Sequence, residues 1–547
     1  MWEPAFNSYR SPILARRGAV AASQPLASQA GLGILRQGGR AADAAVAMAA
    51  VLNVTEPTST GIGGDMFALY YDADTRAVTA LNGSGRAPAG LSIQLIQRQG
   101  LAAGAALADP YHAHTITVPG ACAGWCDLIA RHGSLPLSEL LAPAIELAEA
   151  GFPVAPITSH FWGRSAERLA RTPGGRALTL DGRGPRPGEI FTNPGLARTL
   201  RAVAAGGKDA FYQGEIARAI AHRVQAAGGV LTEADLAAHT STWDTPLSVA
   251  YRGLRVWECP PNGQGLTALL ALKLLNGFDL ANLAPLSVER WHLLIEALRL
   301  AFADSRWYVA DPAFSAIPLA GLLSDAYAAE RRRLIDPGRA LADVRRGAPV
   351  AASGTVYLCA VDGHGNACSL INSNYMGFGT GLVPEDAAGQ SWGFSLQNRG
   401  HNFSLEPGHP NALAPGKRPY HTIIPGLLTR ADGSLYGPFG VMGGFMQPQG
   451  HTQVVVGLVD DRLDPQAALD RPRFCIDDGA AGGAVQLEAG LPAALAAALQ
   501  QRGHPVRANL GGFARATFGR GQIIRRDPDG VLWAGSDPRA DGCALGF

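Results

Sequence analysis

The chain has 547 residues, 46 Lys plus Arg against 45 Asp plus Glu, and only 17% charged residues where about 25% is usual. A formal charge of +1 excludes the basic stripe of a nucleic-acid binder, and no charge-free apolar run of about 18 residues is present to span a membrane. Seven cysteines without CxxC or zinc-type spacing suit a reduced cytoplasmic protein, and the start MWEPAFNSYRSPILARR lacks the apolar segment of a secretory signal. At about 150 residues per domain the length fits three or four units, or one large layered unit.

In chain order, residues 41–54 (AADAAVAMAAVLNV) predict a buried Ala-rich helix. GIGGDMFALYYD starts a strand, DADTR turns, and AVTAL returns as a second strand. His112 and His114 form an HxH in a β-like stretch, weak grounds for a metal. Ser138 is expected to cap a helix ending near Ala150, and Thr232 with Asp235 reads as a capping box. After Ser287, Trp291, Leu294, Leu298, Ala301 and Phe302 recur at helical spacing. Residues 336–354 lack periodicity and read as a loop. The last third is rich in hairpins turning at VDGHGN, TRADGS and RDPDGV, with a helix near 491–502.

The run from Thr355 to Val361 and the run from Ala367 to Ser373 flank one such turn. If Val361 pairs with Ala367, Thr355 lies opposite Ser373, with Cβ atoms about 5 Å apart. A Thr hydroxyl is a weak nucleophile until a base takes its proton. A chain cut just before Thr355 would supply that base, because a free α-amino group titrates near ~7.7–8.0. Gly354 lets the hydroxyl approach the preceding carbonyl, so the Gly354–Thr355 bond is a chemically reasonable self-cleavage site. By itself, Gly-Thr before a strand is more often merely structural.

The whole chain, however, resembles the γ-glutamyltransferase family of N-terminal-nucleophile hydrolases. The resemblance lies in GGRAADAAVAMAAVLNVTEPTSTGIGGDMFALYY, TITVPGACAGWCDLIARHGSLPLSELLAPAIELAEAGFPV, FYQGEIARAIAHRVQAAGGVLTEADLAAH, ALRLAFADSRWYVADP, TVYLCAVDGHGNACSLINS, GFGTG, KRP, MGG and SDPRADG. It implies an α+β fold, a four-layer αββα sandwich made as one precursor. It also implies self-cleavage into a large subunit, 1–354, and a small subunit, 355–547, sharing one core. Thr355 would be the nucleophile, Ser373 the hydroxyl beside its amino group, and Gly443 with Gly444 the oxyanion hole. No metal or organic cofactor is implied.

Several positions depart from the family pattern. Where the family holds a glutamyl α-carboxylate with an Arg and two serines, this chain has Ser84, His421 and Thr422. Where it holds the α-amine with Asn, Gln and Asp, this chain has Tyr375, Arg399 and Asn402. Arg399 is hostile to an ammonium and welcoming to a carboxylate. His421 could add a donor, and Arg86 is a second candidate anchor. A short stretch between Pro407 and Pro419 suggests a more open site.

The expected reaction is therefore hydrolysis of a small carboxylate-bearing amide, with oxamate to oxalate and ammonia foremost. A γ-glutamyltransferase or glutathione hydrolase, a cephalosporin (glutaryl) acylase and an unprocessed binding protein are the alternatives. The expected partners are the small-molecule amide and the two subunits of one precursor, without nucleic acid or membrane. A dimer of the processed heterodimer is left open.

Overall fold

The computed structural model describes residues 10–341, 354–480 and 482–547. Most of the loop expected over 336–354 thus lies outside the described residues, and Gly354 already belongs to a strand.

Two seven-stranded antiparallel sheets stack face to face. The first runs Cys543–Gly546, Ala19–Ala22, Gly354–Val361, Ala367–Tyr375, Asp65–Tyr71, Val78–Gly83, Thr242–Asp244. The second runs Ile13–Ala15, Leu532–Ser536, Arg520–Arg526, Leu435–Met442, Gly426–Arg430, Leu254–Glu258, Leu247–Tyr251. Each sheet takes strands from both sides of Thr355, so residues before and after it share one core.

Strand alternation builds three apolar layers. Tyr357, Cys359 and Val361 face Leu427, Met442 and Ile524 between the sheets. Val356, Leu358 and Ala360 point the other way, against helices that include Ala41–Thr55, Ala121–His132 and Leu137–Ala150. Val441 and Ile523 on the second sheet pack on Gly265–Leu275, Val288–Tyr308 and Met446–Val459. This is the expected αββα order. At Gly440 the sheets come so close that a Cβ would stand 2.5 Å from the Tyr357 ring, so only glycine fits.

The predicted helices over 41–54, after Ser287 and near 491–502 form, as do the three hairpins and the Thr232–Asp235 capping box. Two expectations are corrected. The Leu137–Ala150 helix is entered through Pro136, whose fixed φ of −69° sets the first turn, and Ser138 lies inside it. His112 caps a 3₁₀ turn that contains His114, rather than a strand; His112 Nδ1 accepts the His114 N–H and His114 Nε2 meets Gln99 Oε1. No helix of the described residues is long and apolar enough to cross a membrane.

Asp362 ties the hairpin turn to the first helix layer. Its Oδ1 accepts from His364 N at 2.9 Å and Asn366 N at 3.0 Å; its Oδ2 accepts from Asn366 Nδ2 at 2.9 Å and from Ala41 N at 3.0 Å, at the start of the Ala41–Thr55 helix. Asp362→Ala removes all four acceptor contacts and leaves buried N–H groups unmet. The expected cost is about 2–4 kcal/mol, read as a lower urea midpoint at unchanged slope.

Candidate active site

The hairpin register is Val361 with Ala367 through Val356 with Asn372, then shifts at Thr355 so that Gly354 meets Tyr375. The shift leaves Thr355 and Ser373 across from each other, Oγ1 to Oγ at 3.1 Å, both fully buried. Ser373 Oγ also accepts from Tyr375 N at 2.9 Å and from Arg399 Nη2 at 3.1 Å. Ser373 Oγ thus stands within hydrogen-bond reach of the Thr355 hydroxyl, the Tyr375 N–H and the Arg399 guanidinium at once.

Arg399 enters from a 3₁₀ turn, Arg399–Asn402, and is fully buried. Nη1 donates to Thr422 Oγ1 at 2.6 Å, and the guanidinium lies 4.4 Å from the Tyr375 ring centre. Among the described residues Nε has no hydrogen-bond partner, and no carboxylate makes an ion pair with Arg399. Burial pulls its pKa down to about 10, against the pull of Asp65 and Tyr375, so it stays charged at neutral pH.

Tyr375 and Asn402 serve this arginine. Tyr375 holds φ at +76° and donates its hydroxyl to Asn402 Oδ1 at 2.6 Å, while Asn402 Nδ2 donates to Tyr420 O at 3.0 Å. Both of Asn402's polar side-chain atoms are thereby engaged.

His421 does not offer the donor expected of it. Its Nε2 lies 3.0 Å from Asp65 Oδ2, an acceptor, and its Nδ1 accepts from Ile423 N at 3.3 Å. Both ring nitrogens are spent inside the protein. Burial, reinforced by Arg399, lowers its pKa to about 4, so the ring is neutral at neutral pH. The unfolded chain takes up this proton near pH 6.5, and the folded chain does so only near 4. Stability from this group is present above pH 6.5 and lost as pH falls toward 4, by about 3 kcal/mol. The wild-type melting temperature should fall more steeply over that window than that of His421→Gln, which keeps a donor for Asp65 and cannot titrate.

Arg86 also lies apart from this cluster. Its Nη1 donates to the Thr240 carbonyl at 3.2 Å, at a partly exposed position. The chain from Pro407 to Pro419 is tied down by Asn411 Nδ2 on Asn402 O and Lys417 Nζ on Ala412 O. The more open site is not observed, since Thr355, Ser373, Arg399 and Thr422 are all fully buried.

Gly443 and Gly444 follow the Leu435–Met442 strand with φ of +138° and +60°, values open to glycine. Their carbonyls accept from Met446 N and Gln447 N and open the Met446–Val459 helix. No hydrogen bond among the described residues uses the Gly443 or Gly444 N–H. Two such N–H groups beside a helix N-terminus can stabilise an oxyanion.

Two organising residues escaped the sequence reading. Asp65 pairs with Ser373 across the sheet, and its Oδ1 gathers Gly85 N, Gln397 Nε2 and Gly120 N at 2.9, 3.0 and 3.2 Å. Gln264 Nε2 bridges Thr422 O at 2.6 Å and Gly444 O at 2.9 Å, joining the Arg399 anchor to the glycine turn. An acid heading the apolar run DMFALYY was a signal for Asp65, because a buried charge needs assembled partners. Gln264 had no comparable local signal.

The gamma-glutamyltranspeptidase family model matches residues 27–547. The chain is 36% identical to the glutathione hydrolase-like YwrD proenzyme of Bacillus subtilis, covering 98% of this chain and 99% of that one. It is 34% identical to the oxamate amidohydrolase proenzyme of Klebsiella pneumoniae, covering 98% and 100%. The crystal structure of a cephalosporin acylase from Bacillus halodurans superposes with a TM-score of 0.91 at 46% identity, covering 100% and 99%. With its αββα sandwich and this extent of similarity, the chain is an amidohydrolase belonging to the gamma-glutamyltranspeptidase family of N-terminal-nucleophile hydrolases.

Proposed function

We propose that the chain cuts itself between Gly354 and Thr355 and that the freed Thr355 hydrolyses a short carboxylate-bearing amide, oxamate to oxalate and ammonia. In the cut, Thr355 Oγ adds to the Gly354 carbonyl, the peptide C–N bond breaks to give an ester, and water releases the Gly354 carboxylate. In turnover the Thr355 amino group takes the hydroxyl proton as Oγ attacks the amide carbon. Gly443 and Gly444 N–H groups hold the oxyanion, and the protonated amine gives its proton to departing ammonia. Water, deprotonated by the same amine, then hydrolyses the acyl-enzyme.

One observation carries the substrate class: Arg399 is a fully buried cation with no carboxylate partner among the described residues and an unmet Nε–H. Buried charges are normally paired, so an anionic substrate group completes this one. The contacts of Arg399 and Thr355 with Ser373 Oγ, each 3.1 Å, keep Nη2 within about 6 Å of Thr355 Oγ1. That reach suits a carboxylate joined directly to the scissile carbonyl. A γ-glutamyl substrate would bring its ammonium against the same cation.

A second reading, a glutaryl-type acylase, draws support from the 46% identity to the cephalosporin acylase. It requires Arg399 to meet a carboxylate three methylenes from the reacting carbon. Oxamate, glutaryl-p-nitroanilide and γ-glutamyl-p-nitroanilide separate the readings. Oxamate is expected to lead in kcat/KM by about 100-fold, the worth of a correctly placed buried ion pair. A glutaryl preference would transfer the assignment to the acylase.

A further inference from the structure

The Val288–Tyr308 helix carries His292 and Glu296 one turn apart, on the far side of the second sheet from the hairpin of Thr355. His504 follows the Ala493–Gln501 helix and meets them. All three side chains are buried, and one ligating atom from each lies within 4.8 Å of the others.

The hydrogen bonds determine the tautomers. His292 Nε2 is 2.7 Å from the Asp336 carbonyl oxygen, which only accepts, so Nε2 carries the proton and Nδ1 a lone pair. His504 Nε2, 2.8 Å from His292 Nδ1, is then the donor, and His504 Nδ1 keeps its own lone pair. That atom faces Glu296 Oε1 at 3.8 Å, beyond hydrogen-bond reach. Neither His504 Nδ1 nor Glu296 Oε1 has a hydrogen-bond partner among the described residues. Glu296 Oε2 accepts from Leu341 N at 2.9 Å, and Arg299 Nε stands 3.6 Å from Oε1.

We infer that His292, Glu296 and His504 form a structural divalent-cation site, suited to zinc, that joins the chain before Thr355 to the chain after it. Two imidazoles and one carboxylate are a zinc donor set, with a fourth position for water. Bonds of about 2.0–2.2 Å in a tetrahedron place ligand atoms roughly 3.4 Å apart. Each ring gives one nitrogen, and one donor atom from each of the three side chains lies within 4.8 Å of the others, so the donors draw together by about 1 Å and the His292–His504 hydrogen bond opens to admit the ion. The His292 Nε2–H bond to Asp336 O is the outer contact that orients a ligating histidine. Arg299 competes for the carboxylate, which sets the affinity below that of an all-thiolate site. The ion would also brace residues 336–341 through the Asp336 carbonyl and the Leu341 N–H. It takes no part in the amide chemistry. Ion binding stands on this geometry alone; only its role in holding two separate subunits together rests on the proposed cut.

Metal-stripped protein, both wild type and the uncut Thr355→Ala chain, is dialysed against zinc and assayed for bound metal, then titrated with cobalt(II). One zinc per chain is expected in both, together with the visible bands of tetrahedral cobalt and a melting temperature raised by several degrees. His504→Gln and Glu296→Gln should lose the bands and the thermal shift, while His160→Ala, outside the cluster, keeps them. Wild type without stoichiometric zinc or tetrahedral bands overturns the site, whatever the variants do, and leaves an ordered water as its occupant. Equal uptake by wild type and the folded cluster variants overturns it as well.

Discussion

Thr355→Ala is expected to stay a single 57.0 kDa chain, while wild type resolves by intact mass into fragments of about 37 and 20 kDa, in proportion to 354 and 193 of its residues. In the proposed cut the variant lacks the hydroxyl that would attack the Gly354 carbonyl and, with it, the route to a free amine. Amide hydrolysis should drop by about 10⁴-fold or more, because nucleophile and base are removed together. Fold should survive, since the hairpin is held by paired residues from Val356 to Val361 beyond Thr355. Thr355→Ser, which keeps the oxygen, should still process and turn over at a reduced rate. An uncut wild-type chain after long incubation would remove the hydrolase mechanism and leave the binding-protein reading.

Arg399→Gln is the second large effect. The amide side chain keeps donors for Thr422 and Ser373 but loses the charge. A buried ion pair to a substrate carboxylate is worth about 3–4 kcal/mol, so kcat/KM for oxamate should fall by about 10²–10³-fold. Hydrolysis of the neutral analogue oxamide should change by less than about threefold, because it never used the charge. Arg399→Lys should recover only part of the loss, since an ammonium lacks the planar fork that grips a carboxylate bidentately. Equal losses on oxamate and oxamide would mean that Arg399 acts through Ser373 on the nucleophile rather than on the substrate.

How much of this was legible depended on range. The Thr355–Ser373 pairing could be read because a hairpin is local: two-residue alternation and a turn built on Asp362, Gly363 and Gly365 dictate the register. The Ala41–Thr55 helix and the helix after Ser287 were legible from periodicity and capping. The place of Arg399 was readable only through family resemblance, and the loss of acid and gain of Arg at that position set the charge logic. His421 was misjudged because the sequence shows what a side chain can donate, not what already accepts from it. Asp65, 356 residues away, takes that proton. Arg86 places one of its N–H groups on the Thr240 carbonyl, a contact the sequence did not show.

By itself the sequence determined the helices of the layered core and the hairpin that sets Thr355 opposite Ser373, because these follow from local periodicity and turn chemistry, while the charge reading at Arg399 came through the family resemblance. Only the tertiary structure decided which polar groups remain available. It pairs His421 with Asp65, seats Arg399 on Tyr375 and Thr422 with no carboxylate ion pair among the described residues, and brings His504 to His292 across 212 residues. The reason is physical: a buried donor or charge is defined by the partners that replace its water, and those partners come from segments that meet only when the sheets and helices pack.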